Sequence, residues 1–130
     1  DKEAAHMTIT DAEWAVMELL WAGEGVTGRE CVDALSVNRG WSRSTTLTLL
    51  RRLEDKGAIR SEEEGRVHRY YPLIDREDAA MSETADLIER VYRGSLSQLV
   101  STFTKKQALS REEIDELYSM LRRMEGVGNA

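Results

Sequence analysis

Between Trp41 and Arg60 the sequence sets five cations, Arg43, Arg51, Arg52, Lys56 and Arg60, against two carboxylates, Glu54 and Asp55. That is an excess of +3 in a chain whose net charge is −6. The same segment carries the hydroxyls of Ser42, Ser44, Thr45, Thr46 and Thr48. Guanidinium groups suit phosphates and the acceptor edge of guanine. A threonine offers a hydroxyl to a base or phosphate and a methyl to thymine. At helical spacing Thr46, Leu49, Leu50 and Leu53 share one arc, and Ser44, Thr48, Arg51 and Asp55 the opposite one. One face is therefore expected to be core and the other to lie in a DNA groove. The acidic total excludes a protein that coats nucleic acid through bulk charge. Specific binding depends instead on where the charge sits.

The elements that must position this helix are written along the chain. Ser42 is placed to cap it and Gly57 to end it in a left-handed residue. Thr10 with Glu13, Thr27 with Glu30, and Ser110 with Glu113 carry the capping-box spacing, which marks three further helix starts. The first helix runs to about Ala22, with Trp14, Met17, Leu20 and Trp21 at three- and four-residue steps and Gly23 and Gly25 after it. The second carries Cys31, Val32 and Leu35 on one face, with a turn at Asn38, Arg39 and Gly40. After Gly57, Ile59 to Glu63 and Arg66 to Leu73 read as two strands around a turn at Glu64-Gly65. Pro72, the one proline, suits an edge strand or a strand end. The three tryptophans are expected to anchor helices in the core rather than to stack on bases.

Helix, helix, helix and ribbon is the order of a winged helix-turn-helix. The expected class is mainly α (α+β), with a DNA-binding domain over residues 7–74. Beyond Asp75 the pattern is helical again. Leu87, Ile88, Val91 and Tyr92 precede a break at Gly94. Leu96, Leu99, Val100 and Phe103 form a second stripe, and Ile114, Leu117 and Leu121 a third. These helices are too short and too apolar to stand alone, so residues 75–125 are expected to form a dimerisation region. Residues 1–6, ahead of Met7, are expected to stand outside the fold.

In a helix-turn-helix the second helix of the motif enters the major groove and its N-terminal residues meet base edges. Arg43, Ser44, Thr45 and Thr48 occupy that position. Leu47, off the core arc, has two readings: contact with a thymine methyl or packing at the domain edge. Arg51, Arg52 and Arg60 are expected to neutralise phosphates, and Arg66 and Arg69 to reach the flanking backbone from the wing.

One cysteine, Cys31, permits neither an intramolecular disulfide nor a multi-thiolate metal site, and Cys31 with His68 cannot make one. No apolar run is long enough to span a membrane, so a soluble, cytoplasmic protein without membrane insertion is expected. No nucleophile, base and orienting partner stand at usable spacing, so no catalytic residues, cofactor or metal are expected.

Taken together, several motifs resemble the BlaI/MecI/CopY family of bacterial repressors. They are Ala12-Glu13-Trp14-Ala15-Val16-Met17 with Leu20-Trp21, Trp41-Ser42, Thr45, Thr48, Leu50, Arg52-Leu53, Lys56-Gly57, Gly65-Arg66-Val67, Tyr71-Pro72, Tyr92, Gly94 and Leu99-Val100. The resemblance covers Ile9 to about Met124. It implies a homodimeric repressor on a double-stranded DNA operator with TACA and TGTA half-sites. In the penicillinase-repressor branch it further implies a membrane sensor protease system and cleavage in the dimerisation region, here at Thr102-Phe103. Relatives carry asparagine where this chain has Thr102, often lysine at the position of Ser44, and a polar residue at that of Leu47. The copper branch carries a C-terminal cysteine cluster that this chain lacks. Two other readings are a metal-responsive repressor without that cluster and a winged-helix module that docks on protein.

Overall fold

A computed structural model of the chain describes residues 7–128, and residues 1–6, expected to stand outside the fold, lie outside the described residues. The described residues divide into two compact units at Thr84/Ala85.

In the first unit the helices begin where the capping boxes require. Thr10 accepts the Glu13 N–H at 3.1 Å and Glu13 Oε1 accepts the Thr10 N–H at 2.9 Å, opening α1 (Asp11–Ala22). Thr27 and Glu30 do the same for α2 (Gly28–Arg39), at 3.0 and 2.8 Å. The second helix continues through Asn38 and Arg39, which the sequence pattern placed in a turn. It ends on Gly40, whose φ of 67° is left-handed. Only there does the chain leave the helix, because glycine takes that conformation without a Cβ clash.

Next come α3 (Arg43–Lys56), β2 (Ile59–Glu64) and β3 (Val67–Pro72). The ribbon is not two-stranded as expected. A two-residue strand, β1 (Val26–Thr27), pairs antiparallel with β3, giving the order β1-β3-β2. Two residues are too few to show a period, so the pattern hid them. Pro72 thus ends the central strand, opposite Ile59 and beyond the reach of β1. The wing turn sits at Gly65-Arg66, one residue later than read, with Gly65 at φ 64°.

The core gathers Val16, Met17 and Leu20 of α1, Cys31 and Leu35 of α2, Leu49, Leu50 and Leu53 of α3, and Ala58 and Ile59 beyond it. Burying each large aliphatic side chain contributes roughly 1.5–3 kcal/mol. This cluster fixes α3 by one side only.

The first turns of α4 (Arg76–Tyr92) belong with this unit, so the division falls inside the helix rather than ahead of it at Ile74/Asp75. Arg76 grips Glu18 through two hydrogen bonds of 2.9 and 3.0 Å. Its guanidinium also lies about 6 Å from the ring centroids of Trp14 and Trp21, themselves packed edge to face. Ala79 is buried behind it. The Trp14 indole donates to Glu18 and that of Trp21 to the Ile74 carbonyl. Both rings anchor helices, in keeping with the reading of the sequence.

The second unit holds the end of α4, then α5 (Leu96–Lys105), capped by Ser95, and α6 (Arg111–Gly128), capped by Ser110 with Glu113. Gly94 breaks α4 at φ 85°. Among its described residues none is buried. Leu87, Val91, Leu96, Val100, Phe103, Leu117 and Leu121 are exposed, and Ile88, Tyr92, Leu99 and Ile114 are half-buried.

Candidate nucleic-acid interface

Ser42 opens α3 by accepting the Thr45 N–H at 3.2 Å, and Gly57 closes it at φ 81° with its N–H on the Glu54 carbonyl. Thr46, Leu49, Leu50 and Leu53 face inward and are buried. Arg43, Ser44, Thr45, Thr48, Arg51 and Arg52 are all exposed. Among the described residues no carboxylate pairs with Arg43, Arg51 or Arg52. An unpaired guanidinium is ready for an external anion at no cost in broken contacts. The Ser44 and Thr45 hydroxyls close on Ser42 Oγ at 3.1 and 3.0 Å, whereas that of Thr48 has no partner among the described residues. Leu47 is half-buried, with part of its side chain packed against the core and part open to solvent.

Three cations of the basic segment and wing are otherwise employed. Lys56 turns back to Glu13, with Nζ 2.5 Å from Oε1 and 2.7 Å from the Thr8 carbonyl. Arg60 pairs with Glu62 at 2.7 Å and lies 4.3 Å from the centroid of the Tyr71 ring. Arg69 donates to the Gly25 carbonyl at 3.0 Å and meets Glu64 at 3.3 Å, tying the wing to the loop after α1. Arg66, at the tip, is exposed and has no carboxylate partner among the described residues. The structure therefore brings Arg43, Thr48, Arg51 and Arg52 onto one free face. It gives Arg60 and Arg69 internal partners.

Glu13 is the residue that sequence reasoning took for a cap alone. It is 1% exposed and serves the cap and Lys56 together. Burial pushes its pKa up, but hydrogen bonds from Lys56 and Thr10, with the Lys56 charge, outweigh that and hold it below the ordinary 4.5. The signal for such a role was faint: an acid and a lysine far apart in sequence.

Thr46 Oγ1 is buried with no hydrogen-bond partner among the described residues. A buried orphan hydroxyl costs stability, whereas an apolar isostere leaves nothing unsatisfied. Thr46→Val is therefore expected to raise stability by about 1 kcal/mol, read as a shift of the urea midpoint at constant slope. A lowered midpoint would mean the hydroxyl is satisfied in solution.

Cys31 is fully buried, and burial, then the charge of Glu30, pushes its thiol up to about 11. Among the described residues no group of three His, Cys, Asp or Glu side chains is placed to hold a metal. No described helix is long and apolar enough to cross a membrane.

A capped helix exposing unpaired arginines and a threonine, braced by two helices and followed by a β-wing, defines the winged helix-turn-helix class of DNA-binding proteins. Residues 9–123 match the Penicillinase repressor family, and the chain belongs to it. It is 39% identical to a penicillinase repressor of Bacillus licheniformis, over 87% of this chain and 88% of that protein. It is 33% identical to the methicillin resistance regulatory protein MecI of Mammaliicoccus sciuri, over 87% and 92%. Among solved structures it is similar to the B. licheniformis BlaI monomeric form in complex with the blaP half-operator. That match has a TM-score of 0.51 and 40% identity, and covers 56% of this chain and 89% of that one.

Proposed function

We propose that the protein is a homodimeric transcriptional repressor, acting in the cytoplasm, that binds a palindromic operator built from TACA and TGTA half-sites. The observation that carries this reading is the outward face of α3, where Arg43, Thr48, Arg51 and Arg52 stand exposed and the three arginines have no ion pair among the described residues. Arg43 and Thr48 meet base edges, and Arg51, Arg52 and Arg66 hold phosphates. The similarity to a BlaI head bound to a half-operator supports that docking. A second copy covers the apolar faces of α4, α5 and α6, with Leu87, Ile88, Val91 and Tyr92, Leu96, Leu99, Val100 and Phe103, and Ile114, Leu117 and Leu121 in the seam.

Release follows from proteolysis at Thr102-Phe103 by a pathway that a membrane sensor protease initiates. The bond lies inside α5, and Thr104 Oγ1 is bonded to the Val100 carbonyl at 2.8 Å. Because a protease reads extended chain, α5 must open locally first. A metal-operated release has no support from the cysteine chemistry, since Cys31 is enclosed in the core of the first unit. The exposed arginines favour a nucleic acid over a protein partner, because each is free to take a phosphate.

The test is anisotropy on a duplex with paired half-sites and on a scrambled duplex, over a salt series. Arg52→Ala should weaken binding to both equally and flatten the salt slope by about one unit for each bound head. Thr48→Ala should instead lose about 1–3 kcal/mol of discrimination at one base pair. Equal losses for Thr48→Ala on both duplexes, or an unchanged slope for Arg52→Ala, would remove those roles.

A further inference from the structure

Arg39 ends α2 and Trp41 leads into α3, and the two are held together. The Trp41 N–H donates to the Leu35 carbonyl at 3.3 Å, which fixes its backbone to α2, and its ring packs against the core. The Arg39 guanidinium lies 5.5 Å from the centroid of that ring, within the range of a cation–π contact. Among the described residues no carboxylate pairs with Arg39. Trp41 also differs from the other two tryptophans. Their indole N–H groups end on Glu18 and Ile74, whereas that of Trp41 has no acceptor among the described residues and is not sealed from solvent. An arginine resting on a ring loses part of its conformational freedom while its N–H donors stay available at its edge. A charged donor and a neutral donor thus stand together just ahead of the end of α3 that carries Arg43 and Thr48.

We propose that Arg39 and the Trp41 indole N–H seat one DNA phosphate at the rim of the groove. Arg39 then acts as a positioning residue that fixes the register of α3 without reading sequence. The inference rests on the DNA-binding reading above and adds a contact to it. The ring pre-orders the guanidinium, so the ordering cost is met before DNA arrives.

The experiment is binding of the full chain to a mixed-sequence duplex and to a TACA/TGTA duplex, followed by anisotropy from about 50 to about 200 mM salt. Arg39→Ala should weaken binding to both duplexes by the same factor, roughly tenfold at the lower salt, and reduce the log–log slope by about 0.9 per bound head. Arg39→Lys should keep the slope but recover only part of the affinity, because an ammonium has no flat face to lay on the ring. Trp41→Phe should keep the slope and lose affinity several-fold, since it retains a ring and removes the N–H. Thermal midpoints identify any variant that fails to fold, in which case the Arg39 variants decide. An unchanged slope in Arg39→Ala while wild-type protein binds normally overturns the phosphate seat and leaves the stack as a cover for Trp41. Wild-type protein without salt-dependent binding to either duplex overturns the DNA reading and the seat with it.

Discussion

Leu121→Asp is expected to leave the protein monomeric and to weaken its hold on a two-half-site duplex by about a hundredfold or more. The affinity of one head for a single half-site should stay the same. The reason lies in the second unit, where Leu121 is 63% exposed on α6 and no described residue is buried. Amphipathic helices with no core of their own cannot offset the entropy of ordering them. In the proposed dimer a second copy supplies the missing side of each face, and a carboxylate there would have to be desolvated without a partner. The loss falls on the palindrome because two linked heads bind as one event, whereas a lone head binds once. Sedimentation gives the oligomeric state and anisotropy on both duplexes gives the affinities. A dimer that persists with unchanged affinity would place the seam elsewhere.

Lys56→Met should cost about 3 kcal/mol at neutral pH, the lower end of what breaking a buried pair costs, since the lysine is partly exposed. It strands the Glu13 carboxylate, enclosed between α1 and α3, with only its cap hydrogen bond. The pH dependence distinguishes this from lost packing. In the wild type the Glu13 pKa is held below its unfolded value, so its contribution is present above about pH 4.5 and lost as pH falls through the folded value. The gap between wild type and variant should therefore be widest near neutrality and close as pH falls through the folded value, which lies below 4.5. Adding Glu13→Gln to Lys56→Met should restore part of the stability, because no charge is then left unpaired. A gap that stays constant across pH, measured by urea unfolding, would reduce the pair to a packing contact.

Much of the site was legible because it is local. Ser42, the leucine arc and Gly57 specify α3 within a single run of sequence, and the arginines opposite that arc follow from the helix period. The three capping boxes likewise lie within four residues each. What escaped is non-local. Charge counting set Lys56 among the five cations of the basic segment, yet its partner Glu13 is 43 positions away. Arg69 meets the Gly25 carbonyl across 44 positions, and no periodicity reports that. The strand β1 was hidden twice over, by its two-residue length and by Thr27, which also caps α2. The stack of Arg39 on Trp41 needed Gly40 to reverse the chain between them. The sequence pattern showed the glycine but not the contact it creates.

The single thiol has a use that follows from its enclosure. Cys31 touches no solvent, and its thiolate is disfavoured until the surrounding helices part. Alkylation of this protein is thus gated by opening of its head, and the labelling rate is a stopwatch for that opening. A bound operator holds the head closed, so it should slow the clock in proportion to the fraction of heads engaged. Occupancy on DNA then becomes readable from the chemistry of one sulfur atom, without a fluorophore and without touching the exposed face of α3.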